Sequence, residues 1–270
     1  MKTIRSGENR IYKDALKLLQ RKYRDRSARY IIEGVKPVED ALDAGQSIEH
    51  IFILEGSGYE NRGYPVPTAV LDRKLFRNIS DTENTQGIVA VAKKGCLDMK
   101  GFSERVLDKK GNVVILDRLQ DPGNVGTIIR TAEAAGYSGV MLVRGTADVY
   151  SQKAARAAAG SLFRVPVLQG AEEEEIIETV RASGRRLTVT CIDAELCCWD
   201  ADMRENIALV IGNEGRGVSR GFIEKSDIKI KIPMAGRIES LNAAVAAGIL
   251  MYQSQKTNDM RGKSYASSTE

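Results

Sequence analysis

"DPGNVGTIIRTAEAAG", residues 121–136, is the stretch from which the rest of the chain is read. Asp121, Pro122 and Gly123 break the chain, and Asn124 is placed to cap the apolar, Ala-rich helix pattern that follows. Arg130 sits about one and a half turns into that otherwise apolar segment.

Working outward, the run "NVVILDRL" (112–119) precedes this stretch and reads as a strand. Further strands are expected in "GVMLVRG" (139–145), "RLTVTCID" (186–193), "NIALVIGNE" (206–214) and "IKIKIP" (228–233). They alternate with helical patterns over 124–135, 150–160, 172–183 and 240–256. Apolar strands alternating with helices argue for an α/β domain with a parallel sheet covered on both faces. The acidic run 172–175 opens its helix, where negative charge suits the helix dipole.

Residues 1–95 read as a separate small α/β module. One basic amphipathic helix is predicted over 9–25, with Ile11, Ala15, Leu18 and Leu19 on one face. Strands follow in "RYIIEG" (29–34), "IEHIFILEG" (48–56), "YPVPTAVLD" (64–72) and "TQGIVAVAKK" (85–94). Helices are predicted in "VKPVEDALDAG" (35–45), stopped by Gly45, and in "RKLFRNIS" (73–80). The charged, weakly periodic stretch 96–111 reads as a linker, 112–257 as the second domain and 258–270 as a polar tail.

Composition narrows the chemistry. The 270 residues carry a net charge of +4, yet residues 1–30 hold ten Lys or Arg against Glu8, Asp14 and Asp25. Such a segment suits an anionic partner or a solvated helix face. The four cysteines form no CxxC pair and there is a single histidine, His50, inside a strand pattern, so no metal site is expected and histidine-based catalysis is disfavoured. Free thiols point to a reducing cytoplasm, and no apolar run is long enough to cross a membrane.

Three loops at strand ends carry the candidate site: 120–126, "NEGRG" (213–217) and "MAGRIESLN" (234–242). Parallel sheets bind ligands beyond the carboxyl ends of their strands, so these loops converge if their strands are neighbours. Each pairs Gly with charged or amide side chains: Asn124, Arg130, Glu214, Arg216, Glu239 and Asn242. The dinucleotide fingerprint and the P-loop are both absent. The residues alone therefore indicate a nucleotide-like ligand at an α/β crevice.

The three segments "DPGNVGTIIRTAEAAG", "LVIGNEGRGVS" and "IPMAGRIESLNAAVAAGIL" closely resemble the motifs of the SpoU (TrmH-type) RNA ribose 2′-O-methyltransferases of the SPOUT superfamily. The amino-terminal module, with "IIEGVKPVEDAL", resembles the ribosomal-protein-like RNA-binding domain often joined to them. The resemblance implies a trefoil-knotted carboxyl-terminal segment, S-adenosylmethionine as cofactor, a homodimer and structured RNA as substrate. Large-subunit ribosomal RNA is the first expectation and transfer RNA the rival; a non-catalytic RNA-binding scaffold is the reading from another class.

Carried over residue by residue, the resemblance makes Asn124, Arg130, Glu214, Ser240 and Asn242 the catalytic set. Leu209, Gly212, Ile232, Met234 and Leu241 become the cofactor cradle. Arg130 is the family's proposed base, but a guanidinium scarcely deprotonates and better fits a clamp for a phosphate or a developing alkoxide. Glu214 is expected to orient Arg130 or to contact the cofactor region. Arg156 and Arg164 are weighed as extensions of the RNA surface against a plain helix face. Helix 240–256 is apolar almost all round, which suits a subunit interface or burial within the monomer.

Overall fold

The computed structural model describes residues 2–259, so most of the expected polar tail lies outside the described residues. The first 96 residues contain β1 (Lys2–Ile4), α1 (Arg10–Lys17), α2 (Arg21–Ser27), β2 (Arg29–Glu33), α3 (Val35–Asp43), β3 (Ile48–Leu54), β4 (Thr68–Leu71), α4 (Arg73–Ile79) and β5 (Ile88–Lys93). From Leu97 come α5 (Met99–Phe102), β6 (Val113–Leu116), α6 (Pro122–Ala134), β7 (Gly139–Val143) and α7 (Gln152–Ala158). The chain continues with β8 (Val167–Ala171), α8 (Glu173–Ala182), β9 (Arg186–Thr190), β10 (Leu196–Cys197), β11 (Ile207–Ile211), α9 (Arg220–Lys225), β12 (Ile228–Lys231) and α10 (Ala243–Asp259).

The described residues fall into two compact units. One gathers residues up to Cys96 with 121–130 and 147–165; the other gathers 97–120, 131–146 and the chain from 166.

In the first unit a mixed five-stranded sheet runs β1-β4-β3-β5-β2. Its core collects Tyr12, Ala15, Leu18, Phe52, Leu71, Phe76 and Ile79. The single helix expected over 9–25 is in fact two. Gln20 is extended, and Arg24 donates from Nη1 to the carbonyls of Leu18 and Leu19 at 2.8 Å each. Ile11 and Leu19 are exposed, whereas Tyr12 is buried and donates its hydroxyl to the Leu75 carbonyl at 2.9 Å. Arg24 is itself buried against Asp148, Nε to Oδ2 2.7 Å, so it is unavailable to phosphates. Arg156 is likewise ion-paired with Asp81 and Glu33. The strand expected over 64–72 shrinks to four residues.

The second unit holds a seven-stranded, wholly parallel sheet in the order β10-β12-β9-β11-β6-β7-β8. Strands β6, β7 and β11 are buried at every residue, as a sheet covered on both faces requires. β8 and β10, both at sheet edges, are not evident in the sequence pattern. The stretch expected to be a linker is helical: α5 continues into a wider π turn (Ser103–Leu107) and buries Phe102, Val106 and Leu107 in the core.

Candidate active site

The second unit builds its site on the carboxyl edge of β6 and β11, which are hydrogen-bonded neighbours. β12 ends at the same edge but is separated from β11 by β9, so only two of the three expected loops arise from adjacent strands.

At the end of β6, Asp117 is 1% exposed and serves both neighbouring segments. Its Oδ1 accepts from Arg118 Nη1 and its Oδ2 from the Ser219 amide, each at 2.7 Å. Arg118 adopts a left-handed φ of 56°, which turns its carbonyl toward Asn213 Nδ2 and Gln120 Nε2, both at 2.7 Å. Its Nη2 holds Glu173 at 2.8 Å. The Gln120 amide then donates to Glu214 Oε2 at 3.0 Å. Glu214 is thereby tied to the main chain at the start of the first loop. Burial alone would lower the basicity of the Arg118 guanidinium, but the hydrogen bond to Glu173 and the charges of Asp117 and Glu173 raise its pKa overall.

The loop after β11 closes on itself. Asn213 and Gly217 exchange main-chain hydrogen bonds of 2.9 Å, and Asn213 Oδ1 accepts from the amides of Gly215 and Arg216. Gly212 stands where a Cβ would lie 2.3 Å from the Gly217 carbonyl carbon and the Val218 nitrogen. No side chain fits there, and the loop folds back flat.

After β12, residues 232–242 form neither strand nor helix. Ile232, Met234 and Leu241 are half-buried along this segment, and Ser240 is exposed. Asn242 caps α10: its Oδ1 accepts from the amides of Ala244 and Val245. Leu209, expected in the cofactor cradle, is a strand residue. It lies inside β11, fully buried and in register with Val114 and Thr188.

Asn124 and Arg130 belong to the part of α6 that lies in the first unit. The helix starts at Pro122, so the capping position falls on Asp121, whose Oδ1 accepts from the Gly123 amide at 2.8 Å; Asn124 is already in the first turn and buried. Lys153, through its ion pair, and the Gly123 amide hold the Asp121 carboxyl below its usual range. Gly126 lets α6 approach α7, since a Cβ there would sit 2.2 Å from the Ala154 carbonyl. Arg130 is exposed and makes no hydrogen bond or ion pair among the described residues. The guanidinium is thus presented for an anion from outside.

Sequence reasoning missed Asp117, Arg118, Gln120 and Asn213. The signal was there in "ILDRLQDP": an acidic and a basic residue directly after four apolar ones, where a parallel strand ends.

Residues 111–252 match the SpoU rRNA Methylase family. The chain belongs to that family. Residues 9–90 match the MRM3-like substrate binding domain. One relative is the 23S rRNA (guanosine(2553)-2'-O)-methyltransferase RlmP of Bacillus subtilis, 34% identical over 93% of this chain and 98% of the relative. An uncharacterized tRNA/rRNA methyltransferase of Synechocystis is 29% identical over 94% of this chain and 93% of its own length. Among solved structures, the AdoMet-bound rRNA methyltransferase from Sinorhizobium meliloti aligns with a TM-score of 0.83 at 31% identity, covering 95% of this chain and 98% of that one. The SpoU methyltransferase AviRb from Streptomyces viridochromogenes, in complex with AdoMet, aligns with a TM-score of 0.84 at 28% identity, covering 95% of this chain and 100% of that one.

As a SpoU methylase the chain is an S-adenosylmethionine-dependent RNA 2′-O-methyltransferase. Its residues fit that cofactor. The close main-chain approach at Gly212 and the irregular main chain of 232–242, along which Ile232, Met234 and Leu241 are half-buried, would suit such a group.

Proposed function

We propose that this SpoU methylase methylates a ribose 2′-hydroxyl of 23S ribosomal RNA. The observation that carries the reading is the exposed, unpaired Arg130 on a helix whose start is tied down by Asp121. Similarity to the 23S ribosomal RNA enzyme of B. subtilis over nearly the full chain supports the choice of RNA.

When bound, S-adenosylmethionine supplies a methyl group already activated on a sulfonium. The chain's own residues then have to place the ribose oxygen and leave its proton a path to solvent water. Arg130 grips a phosphate or steadies the developing alkoxide through paired N–H donors. Glu214, oriented by the Gln120 amide, holds the loop after β11 in position and presents its carboxylate at the strand edge. Asn124, buried in the first turn of α6, supports the helix from which Arg130 projects, and Ser240 and Asn242 set the path of the third loop. Gly212, Ile232, Met234 and Leu241 line the cofactor cradle, and Leu209 supports it from within the sheet.

The segment from β11 to α10 is proposed to be threaded as a trefoil knot. A sheet order in which β12 pairs with β9 and β10, away from its chain neighbour β11, supports that path. The active form is proposed to be a cytoplasmic homodimer built on α10. Val245 and Tyr252 are each about half exposed on one face of that helix, while Ala243, Ala244, Ala247, Leu250 and Met251 are buried on the other. An apolar stripe of this kind suits a second copy.

Transfer of radiolabelled methyl from S-adenosylmethionine to total bacterial RNA tests the reading. Label is expected in the 23S fraction, alkali-resistant at one linkage. Arg130→Ala is expected to lower the rate about 100- to 1,000-fold with cofactor binding kept. Arg130→Lys rescues little, because an ammonium cannot form the paired contact. Undiminished transfer by Arg130→Ala would remove the assigned role.

A further inference from the structure

The basic amino-terminal segment does more than spread charge over a surface. Where the end of α1, α2 and the start of β2 meet, Asp14, Lys17, Leu18, Tyr23, Arg26, Ser27 and Arg29 line an open cleft of about 340 Å³. That volume lies in the range of small-ligand pockets.

The cleft is held by defined contacts. Buried Arg24 ties the carbonyls ending α1 to Asp148. Ser27 donates to the Tyr23 carbonyl at 2.7 Å, and Ala28 turns left-handed (φ 50°) to bring Arg29 alongside. Its walls carry three cations and one carboxylate. Lys17 pairs with Asp14 at 2.9 Å, and Arg29 with Glu49 at 3.1 Å across half-exposed side chains. Arg26 makes no ion pair or hydrogen bond among the described residues. The hydrogen bond from Lys17, followed by the charges of Lys17, Arg10 and Arg29, holds the Asp14 carboxyl below its usual range despite some burial. Such exposed pairs are weak and exchange readily for a better anion.

Tyr23 also lines the cleft, and Lys22 Nζ lies 4.9 Å from the centroid of its ring. Cations beside an aromatic ring, in a space too small for a duplex, match a single unstacked nucleotide. We propose that this cleft binds one unpaired nucleotide of the RNA substrate, its phosphate on Arg26, Lys17 and Arg29 and its base against Tyr23. The proposal rests on the methyltransferase reading for the identity of the RNA. It assigns a second, separate contact that anchors the substrate without taking part in methyl transfer.

The test is filter binding of the full-length protein to a 23S ribosomal RNA transcript across a KCl series. Wild type is compared with Arg26→Ala, Lys17→Ala, Tyr23→Ala and Tyr23→Phe. Arg220→Ala, a highly exposed arginine on α9, serves as a charge control. Cofactor affinity is read by calorimetry on the same samples, and thermal melts verify folding. Each cleft cation removed should make the log–log salt slope shallower by about one. Tyr23→Ala should weaken binding about 5- to 100-fold, with Tyr23→Phe near wild type and Arg220→Ala unchanged. A single-stranded oligouridylate should compete better against wild type than against Arg26→Ala. Wild-type affinity and slope in both Arg26→Ala and Tyr23→Ala would overturn the cleft and leave the methyltransferase reading standing. Cofactor binding without any RNA binding by wild type would overturn the RNA substrate itself.

Discussion

Arg24 shows how far a residue's role departs from its local context. In sequence it is one of ten basic residues in the first thirty, yet its guanidinium is buried, paired with Asp148 and bonded to two carbonyls. Removing one partner from a buried pair leaves the other charge unsolvated. Arg24→Ala is therefore expected to lower stability by about 3–5 kcal/mol in urea unfolding, whereas replacing exposed Arg26 should leave the midpoint near wild type. Replacing both partners, as Arg24→Met with Asp148→Leu, should recover much of the loss. Equal midpoints for Arg24→Ala and wild type would show that the pair does not secure the α1–α2 turn. Arg130 is the converse case: an unremarkable exposed arginine by its contacts, singled out by its position in the motif.

At the scale of elements, the loop after β11 depends on a glycine for lack of space. Gly212 does not need a left-handed backbone; it needs the absence of Cβ against Gly217 and Val218. A methyl group at this point forces main chain apart, with strain of about 1–3 kcal/mol. Gly212→Ala should accordingly weaken S-adenosylmethionine binding about tenfold or more by calorimetry. Gly215→Ala, whose nearest neighbour would be an Asn213 side-chain oxygen at 3.7 Å, should bind nearly as wild type. Similar losses in the two variants would point to general loop flexibility instead. The same reasoning explains α6, where Gly126 permits close approach to α7, a contact hidden in a sequence that shows only a small residue in a helical run.

For the whole molecule, the decisive feature is α10, which buries five of its apolar residues and leaves Val245 and Tyr252 facing outward. Val245 and Tyr252 are 51% and 50% exposed, and the Trp199 carbonyl close to that face accepts from Gln253. If this surface joins two copies, a buried carboxylate there carries a heavy desolvation cost. Val245→Asp combined with Tyr252→Asp should halve the mass seen by sedimentation equilibrium and abolish methyl transfer, while the melting transition remains cooperative. A wild type that is monomeric at micromolar concentration would overturn the dimer.

Much of the fold was legible beforehand because local physics sufficed. Continuous apolar runs such as "VVIL" and "IALVI" belong only in a sheet covered on both faces, and Gly and Asn at their ends mark where loops begin. The three motifs were legible through their resemblance to the SpoU family, and it is that resemblance which singles out Asn124, Arg130, Glu214, Ser240 and Asn242. Other features required the folded chain. Arg24 leaves the surface because Asp148 lies 124 residues away, and the break between α1 and α2 follows from that pair with no Gly or Pro to announce it. The stretch 96–111 becomes helix because β-strands brought from elsewhere give Phe102, Val106 and Leu107 a core to enter. Asp117 and Arg118 become the frame of the site only when β6 and β11 are side by side. Propensity and pattern are properties of neighbouring residues, whereas ion pairs, edge strands and shared loops depend on which distant segments the tertiary structure brings into contact.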